Sequence, residues 1–184
     1  VQHQIIAIGR LVEWAHIPEI IYTVNSLKQK FPDIKLLIAG EGPQENKLKQ
    51  IVTDLNLSKY IIFLGRISKA ENWYLRKISH THIHLYDSIH ENFPDTIISS
   101  FSAGIPVIIN NSIEADEIIS DEENGFTVNL KNEKELSKKI TFLFNDDNLK
   151  NKIINNANKI LNAKFSWESH LKTLNNIFES GYGK

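Results

Sequence analysis

Apolar runs of strand length alternate with helix-period segments almost from end to end of this chain, and that alternation constrains the fold more than any single motif. The runs fall at 5–8, 35–39, 61–64, 82–86, 107–109 and 126–128. Those at 5–8, 61–64 and 107–109 are near-continuously apolar and rich in isoleucine, the pattern of strands buried on both faces. Helical spacing occupies 17–30, 44–55, 69–79, 94–103 and 133–145 between and after them. Strand and helix in turn predict an α/β fold, a doubly wound parallel sheet of about six strands with helices on both faces. Beyond 128 the pattern changes. Segments 148–163 and 167–180 read as extra C-terminal helices, with no strand between them.

With 184 residues, 41% of them hydrophobic, the chain is long enough for one domain with a sizeable core. It contains no methionine, even at position 1, so it reads as a piece of a longer chain. Lys+Arg 21 against Asp+Glu 22 leaves a net charge of −1, which argues against a nucleic-acid surface. Lysines gather around 131–139 and 150–164, but acids and asparagines interrupt them, as on solvated helix faces. The lack of cysteine excludes disulfides, zinc–thiolate sites and thiol catalysis, and fits a reducing compartment. No apolar run reaches the length of a membrane span, and no basic-then-apolar targeting pattern opens the chain.

In an open parallel sheet, ligands collect beyond the carboxyl ends of the strands, where strand order reverses. Those ends read Gly9-Arg10, Gly40-Glu41-Gly42-Pro43, Gly65-Arg66, 87–92 and 110–114. Glycine there lets the backbone turn tightly and lets a ligand approach its N–H groups. One such glycine would be a simple connector. Three strand ends of this kind, two with an arginine attached, favour an anionic ligand. Gly40-Glu41-Gly42-Pro43 is not a dinucleotide fingerprint, because the third glycine is missing and Pro43 stands where a helix would start. A nicotinamide-dependent dehydrogenase is therefore a distant alternative.

Segment 85–108, LYDSIHENFPDTIISSFSAGIPVI, reads as a buried strand, a polar loop with Glu91, a helix opened by Pro94 and a second strand announced by Gly104-Ile105-Pro106. It resembles the donor-sugar site of glycosyltransferases of the GT-B fold, family 4 type, also called group 1. Their loop carries a glutamate, a Gly-Phe-Pro or Gly-Phe-Gly step, and a second glutamate after seven intervening residues. Glu91 and Phe93-Pro94 match; Asn92 replaces the glycine and Ser99 the second glutamate. Gly9-Arg10 and Gly40-Glu41-Gly42-Pro43 fit the same family, whose arginine after the first strand lies on the diphosphate. A Lys-Gly pair usually follows five residues later, and here it is Ala15-His16. Loss of one diphosphate cation removes a contact of roughly 1.5–3 kcal/mol. After the fifth strand the family has Gly-Gly and then Glu. Ile113 and Glu114 fill the glycine positions here, and Glu117 matches the later glutamate.

The resemblance implies a Rossmann-like domain over 1–184, the C-terminal, donor-binding half of a two-domain enzyme. It implies binding of a nucleotide-diphosphate sugar and retaining transfer to a glycan or lipid-linked acceptor held by an N-terminal domain. No metal or other cofactor is needed, because cations and helix N–H groups balance the leaving charge. In this chain Arg10 and the backbone of Asn92, Phe93, Pro94 and Asp95 take that role, with Glu91 on the sugar hydroxyls. Pro94, Asp95 and Thr96 give the fourth helix an electropositive start suited to phosphate. Gly9, Gly40, Glu41, Gly42, Gly65, Arg66, His90, Ser99 and Glu117 complete the expected donor site. Ser99, too short for the ribose contact, reads first as a small residue that lets its helix approach the sheet. The implied partners are the nucleotide sugar, the acceptor domain and, for the full-length protein, peripheral contact with the inner face of a cytoplasmic membrane. The departures support a second reading, a degenerate, non-catalytic partner or glycan- or protein-binding domain.

His80, His82 and His84 alternate, which would place three imidazoles on one face of the fourth strand. Such a set would suit zinc or copper. Helices cover that strand and no acid lies at matching spacing, so packing or hydrogen bonding is the reading adopted, with no metal site. Trp167 matches an aromatic that the family buries at the start of its last helix.

Overall fold

The computed structural model describes residues 3–87, 95–111 and 118–182. Six parallel strands form one sheet: β1 (Gln4–Ile8), β2 (Lys35–Ala39), β3 (Ile61–Gly65), β4 (Thr81–His84), β5 (Val107–Asn110) and β6 (Phe126–Val128), in the order β3-β2-β1-β4-β5-β6. The chain winds outward from β1 to β3, returns to lay β4 against the other side of β1, and continues to β6. Strand order therefore reverses between β1 and β4, where a doubly wound sheet opens a crevice.

Side-chain alternation assigns each strand residue to a face. Ile5, Ala7, Leu36, Ile38, Ile83, Ile108, Phe126 and Val128 pack with helices α1 (Ile17–Leu27), α2 (Glu45–Asp54) and α5 (Glu133–Asn145). On the opposite face, Val107 and Ile109 meet Ile97 and Phe101 of α4 (Asp95–Ala103) and Ala157 of α6 (Asp147–Lys164). Ile6 and Leu37 pack there with Ala103, Ile105 and Leu75 of α3 (Lys69–Ile78). Helix α7 (Trp167–Tyr182) lies against α6. No helix among the described residues is long and apolar enough to cross a membrane.

Local chemistry sets the boundaries around the crevice. Ser68 and Glu71 form a reciprocal capping box that starts α3: the Glu71 N–H donates to Ser68 Oγ at 3.2 Å, and the Ser68 N–H to Glu71 Oε2 at 2.7 Å. Helix α4 ends at Gly104, whose φ of 69° is left-handed. Its N–H reaches Phe101 O at 2.9 Å and that of Ile105 reaches Ser100 O at 3.1 Å, a Schellman closure that turns the chain into β5.

Two expectations are corrected. Strand β3 is not buried on both faces, because it forms an edge of the sheet and leaves Ile62 43% exposed. Trp167 is not core. It is 72% exposed and its ring meets His170 at 5.6 Å, because α7 packs on α6 along another part of its surface.

Candidate functional site

The loops that follow β1 and β2 are interlocked. A Cβ on Gly40 would overlap the carbonyl oxygen of Gly9, and one on Gly42 would overlap that of Leu11. A Cβ on Gly9 would strike Tyr86 Oη, which donates to the Arg10 carbonyl at 3.0 Å. The Gly9 N–H bonds Ala39 O at 3.0 Å and the Gly40 N–H bonds Gly65 O at 2.8 Å. These two amides are engaged inside the sheet rather than offered to a ligand. The glycines serve the close approach of one loop to another.

Two crevices open on either side of Arg10. The first, about 510 Å³, is lined by Gly9, Arg10, Gly40, Glu41, Gly42 and Arg66. Its outer charges face each other, with Arg66 Nε 3.9 Å from Glu41 Oε2 and both side chains more than half exposed. The second, about 430 Å³, lies at the β1–β4 reversal and brings Arg10 together with Asp95, Thr96 and Ser99 of α4. Arg76, His84 and Tyr86 also line it, and Asn72 borders both crevices. Asn72 and Arg76, four residues apart, share one face of α3.

Arg76 is only 2% exposed, and its Nη2 donates to Thr96 Oγ1 at 2.8 Å. Burial lowers its pKa to about 10, against the opposing pull of Asp95, so it remains a cation at neutral pH. Beneath it, His82 Nδ1 lies 2.8 Å from Ser100 Oγ, which donates its own proton to Thr96 O at 3.1 Å. That hydroxyl has one proton to give, so the imidazole proton belongs on His82 Nδ1. Complete burial holds the His82 pKa well below the ordinary histidine value, and the charges of Arg76 and His84 push the same way. His82 is therefore neutral. Asn110 fixes the end of β4: its Oδ1 accepts from the Tyr86 N–H at 2.9 Å and its Nδ2 donates to Tyr86 O at 2.8 Å.

The two serines of α4 divide the roles expected of one. Ser100 is fully buried and lets the helix approach the sheet; Ser99 is exposed and lines the crevice. His16 takes a left-handed conformation, φ 46° and ψ 34°, at the position where the family resemblance expects glycine. Its Nε2 lies 2.9 Å from Asp87 Oδ1 and its Nδ1 3.3 Å from Glu19 Oε1. Burial opposes its protonated form, but these two carboxylates outweigh it and raise the pKa. The imidazole is thus bound up with protein acids.

The alternating histidines do not form one set. His82 and His84 face α4, but His80 precedes β4, where the backbone has not yet entered the pleat. Its Nδ1 accepts from the Gln4 N–H at 3.3 Å and its ring packs edge-on against Phe144 at 5.8 Å. Among the described residues, no group of three or more His, Asp or Glu could hold a metal ion. His90, Glu91, Asn92, Phe93, Pro94, Ile113, Glu114 and Glu117 lie outside the described residues. Arg76, Asn72 and Tyr86 were not anticipated from the sequence. The i, i+4 pairing of Asn72 with Arg76 on a helix between two strands was the available signal.

The strand order, the crevice at the reversal and the helix start beside it define a Rossmann-like, doubly wound class of α/β domain. Residues 2–160 match the family model for glycosyl transferases group 1, and the chain belongs to that family. CapM, a capsular polysaccharide biosynthesis glycosyltransferase of Staphylococcus aureus, is 25% identical over 96% of this chain and 47% of its own length. The crystallised C-terminal domain of LpcC, a group 1 family protein of Francisella tularensis, superposes with a TM-score of 0.78 at 24% identity, covering 90% of this chain and 87% of that one. HepE of Anabaena, crystallised with UDP-glucose, gives 0.83 at 22% identity, covering 96% of this chain and 48% of that one. The fold is shared with both structures. The chain spans about half the length of the curated relatives it matches over most of its own length.

Proposed function

We propose that the chain binds a nucleotide-diphosphate sugar at the β1–β4 reversal and donates the sugar, with retention of configuration, to a glycan or lipid-linked acceptor held by a second domain. The observation that carries this reading is the meeting of Arg10 and the first turn of α4, Asp95 and Thr96, around one crevice at the strand-order reversal. The N–H groups and dipole of a helix start favour a phosphate, and the Arg10 guanidinium supplies charge toward a diphosphate leaving group. Group 1 membership and the UDP-glucose bound by HepE support the nucleotide sugar as donor. CapM supports a polysaccharide product. No metal enters the proposal, because Arg10 and the helix amides take over its electrostatic role.

One observation favours a non-catalytic domain instead. His16, at the position of a lost Lys-Gly pair, is held by Asp87 and Glu19 rather than left for a ligand. Calorimetric titration with UDP, GDP and ADP separates the two readings. Binding at millimolar ligand or below, with amide NMR shifts centred on Arg10 and Thr96, is the expected result. Silence at Arg10 with all three nucleotides would reverse it in favour of the non-catalytic domain.

A further inference from the structure

The buried arginine of α3 is not explained by packing. A guanidinium carries five N–H donors and is expensive to remove from water unless they are engaged. Arg76 is 2% exposed, its Nη2 binds Thr96, and its Nε and Nη1 have no hydrogen-bond partner among the described residues. Asp95 is the acid whose charge reaches it, without a hydrogen bond between the two. Among the described residues, no anion is hydrogen-bonded to this cation, which sits at the edge of an open crevice beside the start of α4.

The loop after β1 does not supply the second cation that the family resemblance expects beside Arg10. The Lys-Gly pair that would accompany Arg10 is Ala15-His16 in this chain; Ala15 is fully buried and His16 is held by Asp87 and Glu19. Arg10 is exposed at the rim, and Arg76 lies on the floor between Asn72 and Thr96.

We propose that Arg76 is the second diphosphate-binding cation of this chain, pairing with Arg10 so that the anion is gripped from the rim and from the floor. The assignment rests on the donor-binding reading above. Binding would bring phosphate oxygens to the free Nε and Nη1 donors while Nη2 stays on Thr96, so that α3 and the start of α4 are tied to the ligand together. The second positive charge moves from the loop after β1 to a helix on the other face of the sheet.

The test uses the 184-residue chain, with inorganic pyrophosphate and UDP as calorimetric probes and thermal unfolding as the control. Arg76→Met keeps the volume and removes the charge. It should weaken both probes by about tenfold to a hundredfold, as expected for losing hydrogen bonds to a charged group. Without ligand it should unfold at the same temperature or higher, because an incompletely paired buried cation has been replaced by an apolar side chain. Arg76→Lys, which keeps the charge but loses the fork, should fold and bind both probes several-fold more weakly than wild type. Arg76→Met with wild-type affinity and a lowered unfolding temperature would make Arg76 a structural pin and overturn the assignment. If Arg76→Met does not fold, unchanged affinity in Arg76→Lys overturns it equally. If UDP-glucose, titrated as a third probe, is weakened by Arg76→Met while UDP and pyrophosphate are not, the contact moves to the sugar and the assignment is overturned. Should wild type bind neither probe at millimolar concentration, the donor-binding reading fails and takes this assignment with it. Failure of the assignment alone shows as a wild type that binds and an Arg76→Met that binds equally well.

Discussion

The two crevices beside Arg10 are built from opposite materials. On the β2–β3 side the charges are exposed and face one another, Glu41 against Arg66, and the glycines are engaged in loop-to-loop packing. On the β4 side the charge is buried, incompletely paired among the described residues and set against a helix start. An exposed ion pair contributes little in either direction. A buried cation with idle donors is unfavourable until an anion arrives. The first crevice is therefore a rigid packing junction between loops, and the second is the one with chemistry to offer.

The sharpest way to break this comparison is to damage the packing side alone. Gly40→Ala places a methyl group on the Gly9 carbonyl at a φ of 139° and should destabilise the protein by about 3 kcal/mol. Gly65 adopts φ 64° with nothing within 4 Å of the added carbon, so Gly65→Ala should lose only roughly 1–2 kcal/mol. Urea unfolding measures both. Equal losses would mean that the interlocked loops are not what rigidifies this side.

On the ligand side, Arg10→Ala should reduce UDP affinity about tenfold or more, through loss of a charge-assisted contact to phosphate. Arg66→Ala, already neutralised by Glu41, should change it less than about twofold. Calorimetry on both variants reads the contrast, and a larger effect from Arg66 would move the anion into the first crevice. Ser99→Glu is the next step down. It extends an exposed crevice residue toward the expected ribose position and should raise affinity about fivefold, near 1 kcal/mol for a hydrogen bond to a charged group. Unchanged or weaker nucleotide binding would show that the site has been rebuilt around a different ligand.

What the sequence made legible was the sheet and its helices. The apolar runs at 35–39 and 126–128 coincide with β2 and β6, and the glycine at 104 marks the end of α4 where the Schellman closure occurs. Burial periodicity carries that much because strands and helices repeat at different intervals. It does not say which strand forms an edge, so β3 read as buried although Ile62 faces outward. It also does not distinguish an arginine pointing into a crevice from one on a solvated face, since the long stem suits both. Arg76 stayed invisible for that reason, although Asn72 stands one turn before it. Strand alternation likewise failed for His80, because β4 begins one residue later and the side chain before it is free to turn toward Phe144. Gly9-Arg10 was singled out because a strand end at the reversal point is a position that sequence order specifies, whereas Ser99, inside α4, was singled out only through the family resemblance.

The smallest effect tests whether His16 has left the ligand. Its raised pKa means that the folded protein binds the imidazole proton more tightly than the unfolded chain does. The resulting stability is fully present below the ordinary value near 6.5 and is lost as pH rises through the raised folded value. The partner carboxylates of Asp87 and Glu19 are 48% and 41% exposed, which limits the effect to between a few tenths and about 1 kcal/mol. His16→Asn is the informative variant, because asparagine tolerates the left-handed backbone and cannot titrate. The buried His82, whose titration pulls the other way, is common to both proteins and cancels in the difference. Wild type should exceed His16→Asn in stability at about pH 5.5 and lose that margin by about pH 8.5, read by urea unfolding at each pH. Saturating pyrophosphate should leave the margin unchanged, since the imidazole faces acids of its own chain. A margin that widens with pyrophosphate would return His16 to the anion site and dissolve the division between a rim and floor of arginines and a loop that no longer contributes charge.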